Sequence, residues 1–190
     1  EEAITGQQKR PTKSGPNGYL KKTVSDDSFS SVFTEVATKE LPLIKNSNAI
    51  HAFILKPDFF PFSYKNLEDL ILKNITSYAA ARGIEKNDVA GIKATRILRD
   101  YMNSGVPQNL LGEMLTYIFL EHIDDAKKIY TRAEISANSR TINSEGIYLK
   151  DNKGKSQLIL GASQLNDNLQ DAIKNVVSEL KEFRNNRSQS

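Results

Sequence analysis

The spacing of apolar residues changes several times along the chain, and each change marks an element. Ala49 to Leu55 (AIHAFIL) is a short apolar run closed by Lys56-Pro57, which predicts a buried strand. From Tyr64 the spacing turns helical: Leu67, Leu70, Ile71, Ile75 and Tyr78 fall at i, i+3, i+4 intervals, and Gly83 supplies a stop. A second helix is predicted over about Lys86 to Asn103, with a stripe of Val89, Ile92, Leu98, Tyr101 and Met102 and with Gly105 as its end. Pro107 stands where helices begin, and Leu110, Leu111, Met114, Leu115, Ile118 and Phe119 give a third, largely buried helix through His122. Two β-like runs follow, Lys128 to Ala137 and Thr141 to Leu149. Asp151-Asn152-Lys153-Gly154 then has hairpin-turn chemistry leading into Gln157 to Gln164. Leu169, Ile173, Val176, Val177, Leu180 and Phe183 share one face of a closing helix over Asn166 to about Arg184. The C-terminal half therefore reads as αβββα, preceded by a strand and two helices, and the fold class as α+β.

Glu1 to Gly18 carries two prolines and three glycines among lysines and serines, which predicts a flexible tail. Residues 19–104 read as a mixed part and 105–184 as the core of a single compact domain, a length that one buried core can serve. Glu1 to Ser14 has no apolar segment of a secretory signal, so the expected compartment is the cytoplasm. With 38% hydrophobic and 26% charged residues and no long apolar run, a membrane role is not expected. The absence of cysteine removes disulfides, thiolate metal sites and a thiol nucleophile. His51 and His122 lie too far apart for a histidine zinc motif, so any metal site must rest on carboxylates. P-loop, GxGxxG, GxSxG, HExxH and EF-hand patterns are all missing. The net charge of +3 permits contact with phosphate backbones without demanding it. Lys93, Arg96 and Arg99 on the second helix could make such contacts, or could be an ordinary solvated helix face.

Three places hold candidate chemistry. Glu113, in LLGEMLTYIFL, is a carboxylate among apolar neighbours near the start of a buried helix, where a charge needs a partner or a metal. Glu145, in NSEGIYL, precedes Gly146, which allows close approach to the backbone. In LILGASQL, strand alternation predicts that Leu158, Leu160, Ala162 and Gln164 share a face. A helix carboxylate, a middle-strand carboxylate and paired i, i+2 positions on the adjoining strand are similar to the layout of PD-(D/E)xK restriction-endonuclease-like nucleases. Where that class shows ExK, this chain shows AxQ.

The ordered set is narrower than a fold class. GEMLTYIFLE, then AKKIYTRAEISANSRTINSEGIYL, then LILGASQL and an amphipathic helix resembles the nuclease subunit of the Hachiman anti-phage defence system and the related anti-bacteriophage protein A. The resemblance covers about Asn103 to Phe183. It implies a restriction-endonuclease-like core in which Glu113 stands at the helix glutamate and Glu145 at the strand aspartate, both as ligands of Mg2+. It also places Tyr148 at a histidine, Ala162 at the glutamate of ExK and Gln164 at its lysine.

What the resemblance implies is a magnesium-dependent DNA nuclease working with a superfamily 2-type helicase. Gln164 can still orient a water through its amide, but Ala162 offers no oxygen to a cation that demands oxygen ligands, so this sequence is expected to be inactive. Either an engineered glutamate-to-alanine change or a natural branch without the glutamate would give this pattern. Against the enzyme stands a non-catalytic module that keeps a degenerate nuclease fold to bind nucleic acid or protein.

Overall fold

In this computed structural model, residues 20–24, 26–41, 48–57, 64–80, 88–103, 109–138, 146–152 and 154–187 are described. Among them, six helices and two antiparallel sheets form in the order α1 (Asp26–Val32), β1 (Phe33–Leu41), β2 (Asn48–Leu55), α2 (Lys65–Ala79), α3 (Asp88–Met102) and α4 (Leu110–Ile123). They continue through β3 (Lys127–Tyr130), α5 (Arg132–Asn138), β4 (Gly146–Asn152), β5 (Lys155–Gly161) and α6 (Leu169–Arg187). The fold class is thus mixed α+β. The tail of residues 1–18, Gly83, Gly105, Pro107 and Thr141 to Glu145 fall outside the described residues.

β1 and β2 pair as an antiparallel hairpin with a register shift between Glu35 and Ala37. The expectation of a buried strand at Ala49 to Leu55 is corrected here: the strand exists, but Ile50 and Ile54 are 54% and 53% exposed. A two-stranded ribbon can press only one face on the core, and here Phe33 and Phe53 do so. They close on Phe29, Phe119 and His122, with Phe29 stacked on the His122 ring at 3.8 Å and edge-on to Phe53 and Phe119.

α2 buries Leu70, Asn74, Tyr78 and Ala79 as its period required. α3 differs from the sequence expectation. Its buried face is Ala90, Ala94, Ile97 and Tyr101, whereas Val89, Ile92 and Met102 are more than half exposed. The spacing of 4, 3 and 4 is that of a helix face, and two alanines on it let the neighbouring helices approach closely, so small residues rather than large ones set the inward side. α4 carries the deepest packing, with Met114, Tyr117 and Ile118 at 1% exposure or less, although Leu111 lies outside that face.

The predicted strand Lys128 to Ala137 is a strand for only its first part. β3 stops at Tyr130, and α5 begins at Arg132 because Thr131-Arg132-Ala133-Glu134 forms a capping box. The Thr131 amide donates to Glu134 Oε2 at 2.8 Å and the Glu134 amide to Thr131 Oγ1 at 3.3 Å. β3, β4 and β5 then make an antiparallel meander in that order. The hairpin turn is where the sequence put it, with Gly154 at φ +79° and its amide donating to Asp151 Oδ1 at 2.8 Å. α6 closes the order, but its stripe splits: Val176 and Leu180 are partly buried, while Leu169, Ile173 and Val177 are 74%, 54% and 42% exposed.

Lys128 joins these parts. Its side chain has no exposed surface, and its ammonium donates to the carbonyls of Ser77 (2.6 Å), Tyr78 (3.0 Å) and Ala80 (2.5 Å) and to Glu134 Oε2 (3.0 Å). A cation at the C-terminus of α2 meets the negative end of the helix dipole and the carbonyls that the helix leaves unpaired. Lys128→Met keeps the apolar stem but leaves the buried Glu134 carboxylate without its cation and takes the ammonium donor from these carbonyls. The expected loss is about 3–5 kcal/mol, read by urea denaturation of the full chain; a loss within experimental error would refute this role.

Candidate functional site

Asn109 caps α4, its Oδ1 accepting from the Gly112 amide at 3.2 Å, and its Nδ2 donates to the Ser163 carbonyl at 3.2 Å. A Cβ at residue 112 would lie 2.6 Å from Asn109 Nδ2, so the cap needs glycine there. This one side chain holds the start of α4 against the segment that follows β5. In the first turn of α4, where the helix dipole favours negative charge, stands Glu113 at 7% exposure.

Both Glu113 oxygens are engaged. The Tyr78 hydroxyl donates to Oε2 at 2.7 Å and the Tyr101 hydroxyl to Oε1 at 2.5 Å, while Arg132 Nη1 lies 3.8 Å from Oε1. Burial, reinforced by the Glu113 charge, pushes the Tyr78 hydroxyl well above its ordinary pKa and keeps it a donor. A small cavity is lined by Tyr78, Glu113, Arg132, Gly146, Tyr148 and Gly161. Gly146 and Gly161 face each other across the β4–β5 ladder, and the buried Tyr148 ring lies over the pair. Burial likewise drives the Tyr148 hydroxyl far above its ordinary range.

A second carboxylate approaches from α6. Glu179 Oε1 accepts from Gln164 Nε2 at 2.7 Å. Burial raises its pKa, while the Arg132 charge and the Gln164 hydrogen bond pull it down, and Glu113 is among the charges that oppose its ionisation. Two polar pairs result, Glu113 with Arg132 between α4 and α5 and Glu179 with Gln164 between α6 and the segment after β5.

The structure places the sequence-derived candidates unevenly. Glu113 is at the centre of the cavity wall. Glu145 falls outside the described residues. Ala162 and Gln164 were expected to continue a strand face, but β5 ends at Gly161 and it is Gly161 that lines the cavity. Lys93 is half-buried on α3, Arg96 is exposed, and Arg99 is exposed with Asp100 at 3.1 Å. Tyr78, Tyr101, Arg132 and Glu179 were not singled out from sequence. Only Arg132 left a local signal, inside the TxxE capping box.

Among the described residues no group of three or more histidine, aspartate or glutamate side chains could hold a metal ion. Each Glu113 oxygen accepts from one tyrosine hydroxyl and the carboxylate faces a guanidinium, residue 162 has no side-chain oxygen, and the Gln164 amide is turned to Glu179. Without Glu145, which lies outside the described residues, these side chains alone do not supply the oxygen set that a divalent cation demands.

A buried helix carboxylate beside the end of a three-stranded meander, closed by a further helix, defines an α+β protein with a polar site at the sheet's edge. The chain belongs to the HamA family, whose model matches residues 30–190, and is so a protein of the Hachiman anti-phage defence system. Membership in that system implies a partner component. No curated protein matches the chain, and no solved structure matches it. No helix among the described residues is long and apolar enough to cross a membrane.

A Cβ on Gly161 would come within 2.8 Å of Tyr148 Cε2, 2.9 Å of Leu120 Cδ1 and 3.0 Å of Thr116 Cγ2. Gly161→Ala is therefore expected to cost about 1–3 kcal/mol in thermal or chemical denaturation, as overpacking does. Gly154→Ala tests a different cause, the positive φ of an open turn. Should Gly161→Ala prove neutral, the packing of Tyr148 against the glycine pair is wrong.

Proposed function

We propose that this chain is a DNA-directed effector of the Hachiman system, built on a nuclease-type αβββα core and working with a helicase partner, and that it does not cleave DNA as its sequence stands. The observation that carries this is the position of Glu113. An acidic residue is buried in the first turn of the helix that Asn109 ties to the Ser163 carbonyl, and the residue just before that serine is an alanine, which offers no side-chain oxygen. The element order α4, β3, β4, β5, α6 supports the core assignment, with α5 as an insertion between the first two strands.

Lys93, Arg96 and Arg99 on α3 offer the cationic side chains for phosphate contact, with Arg96 and Arg99 exposed. Full engagement of Glu113 by internal donors is also what a pure binding module would show, and the same experiment separates the two readings.

That experiment is a plasmid-nicking assay with Mg2+ or Mn2+, with and without EDTA, in the presence of the partner helicase. The unaltered chain is expected to leave DNA intact. Ala162→Glu is expected to restore metal-dependent nicking by at least about 10–100-fold over background, since even outer partners of a metal contribute that much. Adding Gln164→Lys should raise the rate further, because an ammonium offsets developing negative charge that an amide does not. If neither variant cleaves while both fold and bind DNA, the binding-module reading replaces the enzyme.

A further inference from the structure

β5 ends at Gly161, and the chain runs on through residues 162–166 without regular structure. Among the described residues no strand pairing continues beyond the Gly146–Gly161 pair. Residues 162–164 are nevertheless half-buried, and two side chains from different elements grip them. Asn109, the cap of α4, donates through Nδ2 to the Ser163 carbonyl at 3.2 Å, while Glu179 on α6 accepts from Gln164 Nε2 at 2.7 Å. Just before them, Gly161 is seated so closely on α4 that a Cβ there would come within 3.0 Å of Thr116 Cγ2 and 2.9 Å of Leu120 Cδ1.

Helix packing does not call for a glutamate at residue 179. It shares the inward side of α6 with the half-buried Ala172, Val176 and Leu180, and burial raises its pKa. Its Oε2 is buried and accepts no hydrogen bond among the described residues. An aliphatic side chain would pack there without that desolvation cost, so the carboxylate needs another reason to be retained. The short bond to Gln164 supplies one, since an ionised acceptor holds an amide roughly twice as strongly as a neutral one.

We propose that Glu179 and Asn109 are positioning residues of this site: from α6 and from the cap of α4 they clamp residues 163 and 164, and so set where residue 162 stands relative to the helix that carries Glu113. One hold alone would leave the segment free to pivot about Gly161, whereas holds on two consecutive residues remove that freedom. The bearing of the clamp on cleavage rests on the function proposed above. The clamp itself does not.

The chain has no cysteine, so Ala162→Cys introduces a single thiol at the clamped position. The measurement is the rate at which iodoacetamide alkylates that thiol in the full chain, expressed per thiolate from its pH profile so that a changed charge nearby does not enter. Glu179→Ala should raise the rate about tenfold, as the loss of a hydrogen bond to a charged group requires of a local opening. Gln164→Ala breaks the same bond from its other end and should raise the rate equally, and the two together no further. Glu179→Gln keeps an acceptor and should stay within about twofold of the parent. Asn109→Asp keeps the cap on Gly112 but removes the donor to Ser163, and should raise the rate about threefold. Gly154→Ala, which strains the far turn of the β4–β5 hairpin, should leave the rate unchanged. Overturning results are no effect of Glu179→Ala and Gln164→Ala or of Asn109→Asp, Glu179→Gln as fast as Glu179→Ala, a double variant faster than either single one, or an equal effect of Gly154→Ala, which would make general loosening the cause. Cleavage is read separately. Where Ala162→Glu nicks DNA, adding Glu179→Ala should lower kcat about tenfold with the KM for DNA unchanged, and an unaffected kcat also overturns the proposal. Where Ala162→Glu does not nick, the proposed function fails and the thiol rates still decide the clamp.

Discussion

The buried ammonium of Lys128 is the constraint on which the site's geometry rests. By capping the last carbonyls of α2 it fixes the end of the helix that carries Tyr78, and through Glu134 it fixes the start of the helix that carries Arg132. Those two side chains meet at Glu113. An ammonium without exposed surface is costly to desolvate, and only a full set of acceptors offsets that cost. Three backbone carbonyls and one carboxylate supply the set here, so the interaction is rigid as well as favourable. The site therefore inherits its geometry from a contact that does no chemistry itself.

The same logic governs the other buried carboxylate of α4. Glu121, with no exposed surface, accepts from the amides of Thr23 and Val24 through Oε2 and from the Lys128 amide through Oε1. It ties the segment before α1 to α4 and to β3. Glu113 and Glu121 lie eight residues apart on one helix, both buried and both hydrogen-bonded through each oxygen. Glu121 is met by three backbone amides and the Thr23 hydroxyl and is a joint between segments. Glu113 is met by two tyrosine hydroxyls and a guanidinium and lines a cavity that Glu121 does not reach.

Periodicity made the helices at Lys65–Ala79, Leu110–Ile123 and Leu169–Arg187 and the β4–β5 turn legible, because each is set by local spacing or by one glycine. The inward side of α3 was not, since Ala90 and Ala94 weigh little in a count of large apolar residues but permit the close helix contact that decides the face. Nor was the break at Thr131 seen, although TRAE is a capping box, since alternating Ile129, Thr131 and Ala133 imitate a strand. Of the site, Glu113 was legible as a charge in an apolar run. Its hydroxyl donors stand 35 and 12 residues away in sequence, and Glu179 sits in the helix after the meander. Such partners are joined only by tertiary packing, and no local pattern encodes them.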